Sequence, residues 1–166
     1  MHGNRVNNDW LVPNASTYVG VHGDDFLFGN DPWFRGMSIK YGADGGVYIS
    51  DWHDIGECHD TDGSHRSSGR IFKVVYGQPE KRSVDLQRLT ALELAEWHWH
   101  PNEWFVRHAR RILHERASSG RDLSAARKRL RAIFEMDHDE LKKLRALWTL
   151  FVIEEFVERD FIRLLK

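Results

Sequence analysis

The chain carries a single cysteine, Cys58, and only four prolines in 166 residues. One thiol excludes an internal disulfide framework and any Cys-x-x-Cys-His haem attachment site within these residues. No apolar run approaches the roughly 20 residues that a membrane-spanning helix needs. The opening Met1-His2-Gly3-Asn4-Arg5 lacks the basic stretch and apolar block of a secretory leader. A charge excess is missing too: 24 Lys and Arg stand against 25 Asp and Glu, a formal charge of -1 with the ten His neutral. That near-balance removes the usual electrostatic argument for a nucleic-acid partner. Aromatic surface, by contrast, is plentiful. Seven Trp and nine Phe, in a chain 41% hydrophobic, give a burial capacity that disordered chains lack. At 19.5 kDa this is material for one ordinary domain or two small ones.

Composition breaks near residue 80. Twelve of the 13 Gly precede residue 82, and 13 of the 15 Leu follow it. Residues 1–82 hold 8 Lys/Arg against 11 Asp/Glu, a net of -3, whereas residues 83–166 hold 16 against 14, a net of +2. Between them Gly77-Gln78-Pro79-Glu80-Lys81-Arg82 is polar, with a proline that cannot donate to a sheet. The reading is α+β in segregated halves: a β segment over 1–77, a linker over 78–84 and a helical segment over 85–166.

The first segment predicts an antiparallel β-meander. Met37-Ser38-Ile39-Lys40-Tyr41 alternates apolar and polar, Gly42-Ala43-Asp44-Gly45-Gly46 supplies a tight turn, and Val47 to Trp52 resumes the two-residue period. A third strand is expected over Gly69–Tyr76 and a short one at Asp25-Phe26-Leu27-Phe28. Residues 1–24, with Asn7-Asn8-Asp9 and Pro13-Asn14, read as irregular. Between the second and third strands lies a 16-residue loop, His53 to Ser68, with three His, four carboxylates and Cys58. Loops that long in a compact domain are commonly functional.

The second segment predicts short capped helices. Thr90 and Glu93 have capping-box spacing, and Pro101 ends the helix they open. Asn102 caps the next, whose Phe105, Val106, Ala109, Ile112 and Leu113 form one stripe, and Gly120 suits a left-handed terminator. Ser124 opens a third helix with Leu130, Ile133 and Phe134 inward, and Asp137 with Glu140 repeats the capping spacing ahead of Leu141, Leu144, Leu147, Trp148 and Phe151. A fifth helix begins near Glu158. A shift of 38 places Leu92 on Leu130, Ala95 on Ile133, His100 on His138, Val106 on Leu144 and Arg107 on Arg145. A period near 40 with two helices per unit predicts an α-solenoid of HEAT-like helical hairpins, of which about three are needed for a continuous core. Further repeats are therefore expected beyond this segment.

Several strings carry a family likeness: Asp25-Phe26-Leu27-Phe28, Asp31-Pro32-Trp33-Phe34-Arg35-Gly36, Gly42 to Trp52, Gly56-Glu57-Cys58-His59, Ser68 to Val74, and Pro101 to Arg111. Together they resemble the large membrane-bound dehydrogenases of planctomycetes and related bacteria. In that family a β-propeller similar to glucose and sorbosone dehydrogenases precedes HEAT-like repeats and, in many members, a c-type cytochrome domain. The resemblance implies a fragment: the terminal propeller blade, the linker and the first helical repeats of a longer, periplasmic or membrane-associated protein. It implies pyrroloquinoline quinone and calcium on the parent propeller, and haem c on a further domain. The remaining blades, further repeats and a cytochrome c domain are the partners it implies. No residue here matches the family's catalytic His, so the segment alone is expected to be inactive and cofactor-free.

Placed in a blade, residues 53–68 and Asp31 to Gly36 fall on one mouth of the ring. The ligand-mouth candidates are Arg35, His53, His59, His65 and Arg66. Arg35 offers a bidentate grip on a carboxylate-rich quinone or an acidic sugar, or else an ion pair to Asp31 or Asp51. Asp51, Asp54, Glu57, His59 and Asp60 are a candidate calcium set, although no complete Asp-x-Asp-x-Asp-Gly loop is present. Zinc on His53, Cys58, His59 and His65 matches no standard finger spacing, and a solvated loop bonded to its own backbone is the alternative. His98, His100, His108, His114 and His138 read as packing or surface residues, and Trp97, Trp99, Trp104 and Trp148 as core or inter-repeat contacts. Two functions follow. One is a segment of a quinoprotein-like sugar or alcohol dehydrogenase that supplies mouth loops and scaffold; the other is a non-catalytic propeller–solenoid interaction scaffold.

Overall fold

The computed structural model describes residues 3–55, 67–78 and 84–164. The chain forms two compact units, Met1–Glu80 and Lys81–Lys166. Antiparallel strands make up the first and helices the second.

In the β unit, β5 (Gly36–Tyr41), β6 (Val47–Asp51) and β7 (Arg70–Val74) form a three-stranded antiparallel meander in that order. The predicted turn joins β5 to β6. Gly42 N–H donates to the Gly46 carbonyl, the Asp44 carboxylate accepts from Gly46 N–H, and Gly45 takes φ 77°, where a side chain would be strained. The short strand β4 (Leu27–Phe28) exists, but it pairs with β1 (Arg5–Val6) rather than joining the meander. The N-terminal region is not irregular. β2 (Asp9–Asn14) and β3 (Thr17–His22) are a fully registered hairpin, turning through Ala15 at φ 51°. Pro13 is compatible with β2 because that strand has a free edge. Every residue of the hairpin is exposed, and Trp10, Val12, Val19 and Val21 share one of its faces. Among the described residues of this unit, Phe34 and Ile49 are the only buried large apolar side chains.

The helical unit contains α1 (Ala91–Glu96), α2 (Glu103–Ser118), α3 (Ser124–Met136), α4 (Glu140–Val152) and α5 (Glu158–Leu164), with single 3-10 turns at Leu86–Arg88 and Trp97–Trp99. Thr90 and Glu93 complete the predicted capping box, Asn102 caps α2 by accepting from Trp104 N–H, and Gly120 has φ 70°. All five residues of the predicted α2 stripe are buried. Two caps sit elsewhere than expected. The α3 start is held by Asp122, which accepts from Ser124 N–H at 2.8 Å, and α4 is capped by Asp139, which accepts from Leu141 and Lys142 N–H. Asp137 instead accepts from Asp139 N–H.

The helices stack in pairs: α1 packs on α3 and α2 on α4, while α3 and α4 pack on each other. The caps Asn102 and Asp139 are 37 residues apart, within one residue of the sequence period, whereas α1 and α3 begin 33 apart because α3 is the longer helix. Burial of α4 falls on Arg145, Ala146, Thr149 and Leu150. Leu141, Leu144, Trp148 and Phe151 are exposed. Trp99 is also exposed, with Lys142 4.2 Å and Arg129 5.3 Å from its ring, and Arg110 lies 5.2 Å from the Trp148 ring, so both are contacts between the helical pairs rather than core residues. Among the described residues no helix is long and apolar enough to cross a membrane.

Candidate functional site

Two of the predicted mouth residues, Arg35 and His53, meet at Asp51, the last residue of β6. Its position is fixed by alternation: Ile49 and Asp51 point to the same face, and Ile49 is core. One Asp51 oxygen accepts from Arg35 N–H at 2.7 Å and His53 N–H at 2.9 Å. The other accepts from Arg70 Nε at 2.9 Å and Nη2 at 2.7 Å. Arg70 Nη2 also reaches Asp31 at 2.7 Å, so one guanidinium joins the carboxylate before β5 to the carboxylate that ends β6. Burial pushes the Asp51 carboxyl up, but the Arg35 amide, Arg70 and the His53 amide outweigh it and hold the pKa below the ordinary value. Asp31 is held low by Arg70 and by the Trp33 amide, and Arg70 is raised in turn by Asp31 and Asp51.

Arg35 forms neither of the ion pairs open to it in the sequence, because Arg70 occupies both Asp31 and Asp51. Its Nη1 donates to the carbonyls of Pro32 at 2.8 Å and Phe34 at 3.0 Å, and its Nη2 to that of Ile55 at 2.7 Å. The guanidinium therefore closes a loop of its own chain. Asn4, at φ 53°, fastens the same loop from outside through Asp31, Pro32 and Phe34 carbonyls. His53 sits at φ 54°, its ring 5.6 Å from Trp33 and its Nε2 3.9 Å from Asp31. Asp54 is buried, accepts from Trp52 Nε1 at 3.3 Å and donates its own N–H to the Trp33 carbonyl.

Of the predicted mouth, Arg35 and His53 are therefore neighbours; His59, His65 and Arg66 lie outside the described residues. Of the proposed calcium set, Asp51 and Asp54 are described, while Glu57, His59 and Asp60 are not, nor is Cys58. Among the described residues no group of three or more His, Cys, Asp or Glu could hold a metal ion. The central residue, Arg70, escaped the sequence reading. Its one signal is a cation at the head of the apolar strand Ile71-Phe72, beside strands ending in carboxylates. Next to it, a cleft of about 270 Å³ is lined by Leu27, Phe28, Phe34, Ile49, Phe72 and Val74, with Asp31, Arg70 and Lys73 on its walls. Lys73 is paired with Asp44, and the Arg70 guanidinium lies 5.0 Å from the Phe72 ring, so the charges beside this apolar space are already matched.

A second polar cluster lies in the helical core. His98 is fully buried; its Nδ1 lies 3.2 Å and 3.1 Å from the Leu94 and Ala95 carbonyls, which only a ring N–H satisfies. Nε2 lies 2.6 Å from Thr149 Oγ1, whose one hydroxyl proton also has the Arg145 carbonyl within reach at 2.9 Å. Arg110 Nε donates to the same hydroxyl oxygen at 3.2 Å. Arg145 donates to the carbonyls of His98 and His100 and pairs with Glu103. Burial, then Arg110 and Arg145, lower the His98 pKa to about 4 against the pull of the two carbonyls, so the ring is neutral at pH 7. Of the other helical histidines, His100 and His108 are half-buried and His114 and His138 exposed. No protein-family model, curated protein or solved structure matches this chain.

Proposed function

We propose that the chain is a non-catalytic interaction scaffold: a propeller-blade-like β meander joined to HEAT-type helical hairpins, working as a segment of a larger assembly. The observation that carries this reading is the engagement of the polar groups best placed to grip a ligand. The Arg35 guanidinium holds Pro32, Phe34 and Ile55, and Asp51 holds Arg70 and two backbone amides. Releasing Asp51 to a ligand would strip the part-buried Arg35 and His53 amides and the Arg70 guanidinium of their acceptor. The surface supports the same reading, because the hairpin face of Trp10, Val12, Val19 and Val21 and the outer face of α4 are apolar and open. Apolar patches of that kind mark contact surfaces.

The dehydrogenase segment is the second reading. It is favoured by the placement of Arg35 and His53 at the root of the loop that follows β6, on one end of the meander. A paired experiment separates the two. The chain is titrated with pyrroloquinoline quinone plus calcium, and assayed for dye-linked oxidation of a panel of aldoses and alcohols. The scaffold reading expects no turnover and no saturable binding, and it expects Arg35→Ala to loosen the β unit in hydrogen exchange. Saturable quinone or acidic-sugar binding, abolished by Arg35→Ala while β-unit exchange stays unchanged, would replace it with the ligand-mouth reading.

A further inference from the structure

The helical stack contains its own template for what fits on its outer side. α4 is seated against both α2 and α3. Its contacts with α2 advance in the same sense along both helices: Glu103 meets Arg145, and further on Arg110 meets Thr149 and Trp148. The two helices therefore run parallel. Asn102 and Asp139 are the corresponding caps, and that offset of 37 carries Glu103 to Glu140, Arg107 to Leu144, Arg110 to Leu147 and His114 to Phe151. The side on which α2 receives its neighbour is charged. The matching side of α4, past Glu140 in its first turn, is leucine and phenylalanine, and Leu144 and Phe151 are exposed there.

One step along the stack, α5 follows α4 as α3 follows α2. The Phe134–Phe156 and Phe151–Phe161 ring contacts, 5.2 Å and 5.6 Å between centroids, hold the chain at α5 against α3 and α4. Between α4 and α5 remains a groove of about 370 Å³, with Phe134, Leu141, Leu144, Leu147 and Leu164 on its walls and Glu140 and Lys143 at its edge. This is the counterpart of the seat that α4 occupies.

We infer that the α4–α5 groove is a docking site for an amphipathic α-helix of a partner polypeptide, laid parallel to α4 as α4 is laid on α2. The contact continues an interface already present in the molecule, and the inference rests on the scaffold reading of the helical unit. The wall chemistry sets the ligand class. The partner helix carries leucine-sized residues at i, i+3 or i+4 and i+7, not the polar Arg145 and Thr149 that α4 offers to α2. Opposite charges at its margin face Glu140 and Lys143.

The test uses the full chain and a synthetic 18-residue helix of Leu, Glu, Lys and Gln, leucines at those spacings. Binding is read by tryptophan emission and amide chemical shifts, and orientation by a nitroxide on either peptide end. Expected is micromolar binding that perturbs α4 and α5 amides, with the N-terminal nitroxide broadening the amides around Glu140. Leu141→Glu with Leu144→Glu, two exposed walls of the groove, should weaken it by at least about ten-fold, whereas Ile71→Glu, an equally apolar surface site in the β unit, should leave it unchanged. Four results overturn the inference: no binding, equal loss with Ile71→Glu, antiparallel docking on the native chain, or a chain dimer that the α4 pair abolishes. Sugar turnover by the chain would instead sink the scaffold reading and leave the groove titration as measured.

Discussion

Eighteen apolar side chains are buried among the described residues, and all but Phe34 and Ile49 belong to the helical unit. Burying one such side chain stabilises by roughly 1.5–3 kcal/mol, while fixing one residue's backbone costs about 1–2 kcal/mol. Two buried side chains offset the ordering of only a few residues. The β unit is therefore specified mostly by polar clamps, Asp51–Arg70–Asp31 and the carbonyls gathered by Arg35 and Asn4. Such clamps set geometry well and add little net stability, because each bond replaces one to water. Hydrogen exchange exposes this contrast with the largest effect. Amides of α2, α3 and α4 should exchange at least about a thousand-fold more slowly than those of β2 and β3. The meander amides of residues 25–76 should also exchange faster than the helices; exchange as slow as in α2–α4 across both β2–β3 and residues 25–76 would mean that the clamps stabilise the sheet, and the contrast would fail.

The helical unit's weakness is at the opposite end of the polarity scale. His98 is neutral in the fold down to pH about 4, while an unfolded chain binds its proton from 6.5 downward. Its contribution is fully present above pH 6.5 and is lost as pH falls through the window to about 4. Over that range the linkage removes about 3 kcal/mol from the helical unit. The added charge would face Arg110 and Arg145, with Glu103 already paired to Arg145. Urea denaturation followed by helical circular dichroism at pH 7 and pH 4 measures the loss, and His98→Gln should flatten it. A pH-independent midpoint in the native chain would show that water reaches the ring. In the β unit the Asp31 and Asp51 carboxyls are held below their ordinary range, so the stability they contribute is lost only in stronger acid.

Legibility in the sequence follows the same division. Local rules carried the helices: capping-box spacing at Thr90 and Glu93, the terminator at Gly120 and the α2 stripe are all decided within one turn of chain. They also carried the β5–β6 hairpin, whose turn chemistry is local. The β2–β3 hairpin was not legible, because Pro13 and the asparagines obscure alternation and neither face is buried to impose it. Arg70 was missed for a different reason. Its partners lie 19 and 39 residues away, and nothing short of the strand register brings Asp51 and Asp31 to it. The outward face of α4 went unread because an apolar stripe gives the angle of a helix's greasy side but not whether anything covers it.

The smallest effect tests the finest of these distinctions, two aspartates two residues apart. Spacing to Glu140 favours Asp137 as a cap, but a cap must sit in extended backbone directly before the first helical residue, with its oxygen toward the free N–H groups. Asp139 meets this at φ -87° and ψ 109° and accepts from two N–H groups; its carboxyl is held low by the Lys142 and Leu141 amides. Asp137 accepts only from Asp139 N–H and so braces the loop. Asp139→Ala should then lower the melting temperature of the helical unit by about 5 °C, and Asp139→Asn, which keeps the acceptor, should recover most of it. Asp137→Ala should move it by under about 2 °C. Equal shifts from both alanines would mean that the α4 start frays back to residue 137, and the groove built on its first turn would lose Glu140 and Leu141 as fixed walls.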